Sequence, residues 1–211
     1  MYHSKEKNPV ATLGDFIWSM ENSLDGDFCD HLIDRFNKDH RIYNGQVGQG
    51  RYDPDVKQTK DLCVSKLDNW KEEDEKLYNS LNNGLQQYYN HIRYITSGYT
   101  SLEGFSDVYD FRDKGYQIQR YEPNGFYDWH VDYQFEEEYG ARVITFIWYL
   151  NTLKNEGYTQ FIDGTKVQPK KGTLVCFPAT WNYLHRAYPS PDEVKYICTG
   201  WCYTRSKNVS T

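Results

Sequence analysis

His130-Val131-Asp132 is the first place in the chain where residue types and spacing could do chemistry. On a strand, residues two apart share a face, and at roughly 3.3 Å per residue their Cα atoms sit about 7 Å apart. Both side chains then reach one ion. An imidazole and a carboxylate with one further donor fill half an octahedron and leave half open, the facial arrangement of an iron(II) centre that must admit O2 and another ligand. Alone, the pair is common, and an exposed strand pair is the plainer account of it. His185, in Asn182-Tyr183-Leu184-His185-Arg186, is the candidate third donor.

Ten residues beyond it, across Pro189-Ser190-Pro191-Asp192, stands Lys195. On a strand, Lys195, Ile197, Thr199 and Trp201 share a face opposite Tyr196, Cys198 and Cys202. If that face is internal, an ammonium is buried there, which is costly unless it meets an anion. A ligand with a free distal carboxylate would supply one. The strand Arg142 to Asn151 sets Val143, Thr145, Ile147 and Tyr149 on one face. A tyrosine hydroxyl ending that face needs a partner, and the same carboxylate would serve.

These side chains need a sheet to hold them. From Tyr116 onward the period is two: Tyr116 to Tyr121, Phe126 to Asp132, Arg142 to Leu150, Phe161-Ile162, Thr173 to Phe177, Leu184 to Ala187 and Val194 to Trp201. Gly or Pro punctuates most of the gaps, which predicts a sandwich or barrel. The first half reads as helices with irregular segments. Phe28, Leu32, Ile33 and Phe36 recur at helical spacing after a capping Asp27. A longer helix is predicted from Trp70 to Ile92, with Asn69 and Glu72 as a capping box. Helices first and sheet second predicts helices on one outer face. Tyr43 to Pro54, with Gly45, Gly48 and Gly50, reads as a mobile loop and a candidate lid, and lacks the strand-then-helix context of a phosphate-cradling loop.

The length of 211 residues fits one domain spanning the chain, with helical support over about 15–100 and a β core over about 105–205. The 20 tyrosines tilt it toward β structure. A net charge of −6, with Lys and Arg scattered, excludes the basic stripe of a nucleic-acid partner. Cys29, Cys63, Cys176, Cys198 and Cys202 are odd in number and form no CxxC, so reduced thiols in a reducing compartment are expected. No apolar signal region opens the chain, and Val143 to Leu150 is too short to span a bilayer. The expectation is a cytoplasmic protein with no membrane partner.

Over about Tyr116 to Tyr203 the sequence resembles the 2-oxoglutarate/iron(II) dioxygenases of the prolyl 4-hydroxylase type. The motifs that carry the resemblance are Arg120-Tyr121, the Gly125 turn, Tyr127-Asp128-Trp129-His130-Val131-Asp132, and the Arg142 strand ending Tyr149-Leu150-Asn151. Glu156-Gly157-Tyr158-Thr159-Gln160-Phe161 matches a Gly-Gly-x-Thr-x-Phe segment with its first glycine replaced. Pro169 to Gly172 and the series His185, Lys195, Thr199, Trp201 complete it.

The resemblance implies an α+β fold, a double-stranded β-helix (a jelly-roll or cupin-like barrel) buttressed by N-terminal helices. It implies that His130, Asp132 and His185 bind Fe(II). It gives Lys195 the distal carboxylate of 2-oxoglutarate, helped by Tyr149 and Thr199, with Tyr121 donating nearer the metal end. The implied reaction consumes O2, releases succinate and CO2, uses ascorbate as a candidate reductant, and hydroxylates a peptidyl proline on a protein or peptide partner. Another protein side chain or a small molecule is the alternative substrate. A non-catalytic metal-binding barrel would show no 2-oxoglutarate turnover, and a coincidental triad would bind no metal.

Overall fold

The computed structural model describes residues 11–48, 50–96 and 109–206. The elements run β1 (Trp18–Met20), α1 (Gly26–Lys38), β2 (Tyr43–Asn44), β3 (Lys60–Cys63) and α2 (Lys71–Ile95). Then follow β4 (Tyr109–Asp113), β5 (Gln117–Tyr121), β6 (Tyr127–His130), β7 (Phe135–Glu136) and β8 (Gly140–Tyr149). The chain continues through β9 (Thr159–Phe161), β10 (Lys166–Val167), β11 (Leu174–Pro178), β12 (His185–Ala187) and β13 (Lys195–Ser206). The predicted change to strand periodicity is present, and β13 is longer than its predicted run. The first half differs from the expectation of helices alone, because β1, β2 and β3 lie there.

Two antiparallel sheets result. The larger runs β1-β11-β8-β13-β5-β3-β2, with β4 also on β13 and β7 on β8; the smaller runs β10-β9-β12-β6. Alternation along the central strands divides the core in two. Phe146, Trp148, Leu174, Cys176, Cys198 and Cys202 join a cluster that also takes Leu32 and Phe36 of α1 and Leu77, Leu81 and Tyr88 of α2. The opposite side chains (Ile147, Tyr149, Val175, Phe177 and Ile197) meet Phe161 of the smaller sheet. The functional side chains lie in the space between the two sheets.

The helix starts correct two sequence expectations. Asp25, not Asp27, caps α1, its carboxylate accepting from the Asp27 and Phe28 amides at 2.8 and 3.4 Å. At α2 no capping box forms: Trp70 is the N-cap residue without a side-chain bond, and Asn69 instead accepts from Arg41 at 2.9 Å and Arg35 at 2.6 Å. Glu72, Glu73 and Asp74 in the first turn complement the helix dipole. Glu73 also binds Arg35 at 2.6 Å, tying α2 to α1.

The 43–54 segment is not a free loop throughout. Its start is β2, paired with β3, and Val47 and Arg51 exchange backbone bonds of 2.8 and 2.9 Å. All five cysteines are free, and four are buried. No described helix is long and apolar enough to cross a membrane.

At Gly200 of β13 the backbone passes close to its neighbours. A Cβ there would lie 2.5 Å from Phe146 Cζ and 2.6 Å from the Gly115 carbonyl oxygen. Glycine to alanine in a strand interior ordinarily gains stability. Gly200→Ala is expected to lose about 1–3 kcal/mol instead through overpacking, read as a lower urea midpoint.

Candidate metal centre

His185 in β12 stands directly across from His130 in β6, and their ring centroids are 4.3 Å apart. The sequence places both histidines but not the third ligand's setting: β6 ends at His130, and Asp132 lies beyond it, in the loop before β7. The carboxylate nevertheless turns inward. Its Oδ1 is 3.8 Å from His130 Nε2, and its Oδ2 is 3.5 Å from His185 Nε2. One donor atom from each of the three lies within 4.8 Å of the other two. Ligands at about 2.1 Å and right angles around an ion sit about 3 Å apart, so a small inward shift closes the set.

The supporting bonds fix which atoms face the ion. His130 Nδ1 is 2.7 Å from the Asp128 carbonyl, and His185 Nδ1 is 2.9 Å from the Tyr183 carbonyl. A carbonyl only accepts, so both rings donate from Nδ1 and turn Nε2 inward, the nitrogen that a metal would take in the neutral tautomer. Thr145 donates to Asp132 Oδ2 at 2.7 Å. Burial, then the neighbouring His185, pushes His130 down to about 3, so the ring is neutral at pH 7. Burial works against the Asp132 charge, but His185, His130 and Thr145 outweigh it and hold the carboxyl below its ordinary value. Two imidazole nitrogens and a carboxylate oxygen suit a divalent cation.

A narrow cavity of about 40 Å³ links these ligands to Lys195, Thr199 and Tyr121. Lys195 is 2% exposed. Its ammonium donates to the Gly157 carbonyl at 2.9 Å and lies 4.3 Å from the Tyr121 ring centroid. Burial pulls it down to about 7. The carbonyl is supplied by a turn in which Glu156 adopts φ 49° and Gly157 φ 68°. Glu156, standing where the resembled motif has glycine, therefore takes the left-handed conformation itself.

Three sequence-stated positions differ in detail from what their types suggested. Tyr149 is fully buried but does not line the cavity; its hydroxyl bonds Thr159 Oγ1 at 2.7 Å. Thr199 lines the cavity but donates to the Phe146 carbonyl at 2.8 Å. Tyr121 donates to Gln119 Oε1 at 2.9 Å, so its proton is committed within the wall. The direction of that bond is set at a distance. Asp61 accepts only, so Gln117 must turn its amide nitrogen to it, at 3.1 Å; Gln117 Oε1 then receives Gln119 Nε2 at 3.1 Å, and Gln119 Oε1 receives Tyr121.

Sequence reasoning missed Gln119, Tyr127 and Thr159 as cavity walls and Thr145 as the Asp132 partner. The period-two spacing of Gln117, Gln119 and Tyr121 was the available signal. A groove of about 380 Å³ shares Gln119, Tyr127, Asp132 and Trp201 with the cavity and is bordered by Gln46 and Gly48 of the 43–54 segment.

Two opposed imidazoles and a carboxylate, set between two antiparallel sheets, form a candidate metal centre of the open facial kind. Residues 116–203 match the family model described as 2OG-Fe(II) oxygenase superfamily. No curated protein sequence matches the chain. Its fold is similar to that of solved prolyl hydroxylases. The viral collagen prolyl hydroxylase of Paramecium Bursaria Chlorella virus-1, in a 2OG complex, aligns with TM-score 0.62 at 19% identity over 89% of this chain and 95% of that one. A Pseudomonas putida prolyl-4-hydroxylase gives TM-score 0.62 at 18% identity, over 90% and 93%. A Trichoplax adhaerens prolyl hydroxylase, solved with a hypoxia inducible factor oxygen degradation domain peptide fragment, gives 0.67 at 14%, over 90% and 84%.

Asp132→Ala is expected to weaken Fe(II) binding by more than about a hundredfold, beyond what loss of an outer partner costs. Anaerobic calorimetric titration reads this, with circular dichroism confirming the fold.

Proposed function

We propose that the chain is an Fe(II)- and 2-oxoglutarate-dependent dioxygenase that hydroxylates a C–H bond, with peptidyl proline as the substrate. The observation that carries this reading is Lys195. An ammonium buried to 2% exposure, with one neutral carbonyl and a tyrosine ring for company, is poorly compensated. It lines the same cavity as three metal-competent side chains. A diacid that reaches the metal with its keto-acid end and Lys195 with its distal carboxylate answers both demands.

His130 and His185 Nε2 and an Asp132 oxygen would hold the iron, which with 2-oxoglutarate and O2 supplies oxidation of an unactivated C–H bond, releasing succinate and CO2. The Nδ1 bonds keep the two imidazoles aimed, and Thr145 keeps the carboxylate turned to them. Lys195 orients the diacid, and Ile147 and Ile197 exclude water from the path between. The wider groove, with the Tyr127 and Trp201 faces at its inner end, receives the substrate. The structural neighbours named as prolyl hydroxylases, one of them holding a peptide fragment, support a proline-bearing peptide there. The 43–54 segment, at the rim, is the candidate lid.

The two facing sheets, with α1 and α2 packed against the larger, support a double-stranded β-helix with N-terminal helical support in one domain over residues 1–211. Free thiols support a cytoplasmic setting.

Lys195→Ala is expected to raise the 2-oxoglutarate concentration needed for half-maximal succinate formation by about a hundredfold or more, since breaking a buried charge pair costs roughly 3–5 kcal/mol. A panel of peptides with and without proline, read by mass spectrometry for +16 Da (about one added oxygen), separates proline from other substrates.

Lys195 also sets a pH dependence. Its ligand-free value is depressed from 10.5 to about 7, so the unfolded chain binds more protons between these values and the ligand-free fold gains stability as pH rises through that window. An anion raises the value again. Affinity for 2-oxoglutarate is therefore level below about pH 7 and falls about tenfold per unit above it. Lys195→Arg should flatten the fall, because a guanidinium stays charged; an equally steep profile in that variant would contradict the assignment.

A further inference from the structure

Lys57 and Asp61 form an ion pair of 2.7 Å with side chains 3% and 0% exposed. Asp61 ends the hydrogen-bonded row that leads to Tyr121, and Lys57 borders the wider groove, but neither is given a role at the metal ligands by the reading above. Fully buried pairs of this kind are poor sources of stability, because desolvation offsets most of their attraction. Their surroundings give them another role. Asp61 takes Lys57 on Oδ2 and the Thr59 hydroxyl, also at 2.7 Å, on Oδ1, so the ammonium is fixed in place. That ammonium stands 5.2 Å from the centroid of the Tyr127 ring. The Tyr127 ring lies in turn on the imidazole of His130, with centroids 3.5 Å apart and planes within 12°.

The backbone is bound in the same sense. Lys57 and Tyr127 are bridge partners, Gln58 donates to the Phe126 carbonyl at 2.8 Å, and Asp128 donates to the Val56 carbonyl at 2.8 Å. The segment before β3 thus lies alongside β6, the strand that carries His130. A cation over an aromatic face is attracted by the ring quadrupole, and more strongly where water is excluded.

From this stack we infer that the buried Lys57–Asp61 pair is a positioning element for the metal centre, clamping the Tyr127 ring against His130 so that its Nε2 stays aimed at the ion. The inference rests on the metal-centre reading above. Lys57 acts through Tyr127 and touches no ligand itself.

Co(II) loaded in place of Fe(II) tests it without turnover, because its visible bands report ligand geometry. The variant Lys57→Met/Asp61→Leu removes both charges together and leaves no unpaired charge; the Thr59 hydroxyl and the Gln117 amide lose their Asp61 acceptor, so circular dichroism checks the fold alongside. Its Co(II) affinity should fall about tenfold, the range for loss of an outer partner, with shifted bands. Tyr127→Leu should show a similar loss, and combining the two should add little, since both remove one clamp. Asp61→Asn, close in shape, is the second arm: it loosens the ammonium and should weaken Co(II) binding in the same direction.

Co(II) affinity within twofold of wild type and unchanged bands in either charge variant would overturn the inference, as would fully additive losses with Tyr127→Leu. A wild-type protein that gives no Co(II) spectrum would refute the metal centre itself, and the inference with it.

Discussion

The register of β12 against β6 is the constraint on which the rest depends. It sets His185 opposite His130, and because side chains alternate faces along a strand, a slip of one residue would turn Leu184 or Arg186 inward instead. Neither strand is long, so local propensity cannot hold that register. It is held from both sides: β12 is bonded to β9 as well as β6, and the Lys57 segment is bonded to the other edge of β6. The inward side chains Tyr127, Phe161 and Ala187 pack with the apolar residues of the larger sheet. Two imidazoles can be brought within reach of one ion only because everything around them is already committed.

The cavity follows from the same alternation. On β13 the inward series reads Lys195, Ile197, Thr199, Trp201, and on β8 it reads Thr145, Ile147. The polar members sit toward the ends, and apolar walls occupy the middle. The wall formed by β5 is polar throughout, but it is satisfied internally from Asp61 to Tyr121. A buried polar wall is tolerable only when each donor has an acceptor, and the acceptor-only carboxylate at one end gives the row a single direction.

Much of this was legible from residue types. His130, Asp132, His185 and Lys195 are unusual on strands that are otherwise apolar, and their order and spacing survive without any knowledge of contacts. The central strands were legible because β8, β11 and β13 are long and strongly patterned. What was not legible is non-local. β1, β2, β7 and β10 are two or three residues long and exist because a neighbour pairs with them. Asp132 was expected on the strand that ends at His130; its inward turn depends on Thr145, thirteen residues away. Lys57 and Asp61, four apart with Gln58, Thr59 and Lys60 between them, look like solvated surface until the sheet closes over them. Tyr149 was assigned by its face and Tyr121 by resemblance, and neither says where a hydroxyl's proton goes.

The thiols have a consequence for the O2 chemistry proposed above. Burial pushes Cys176, Cys198 and Cys202 well above the ordinary thiol range, and pushes Cys29 up to about 11. Peroxide attacks thiolate, not thiol. The sulfurs nearest the sheet core are therefore chemically quiet toward oxidants that escape incomplete turnover. Cys63, only half-buried and bonded to Tyr43 at 3.5 Å, is left as the sulfur through which oxidative wear would enter.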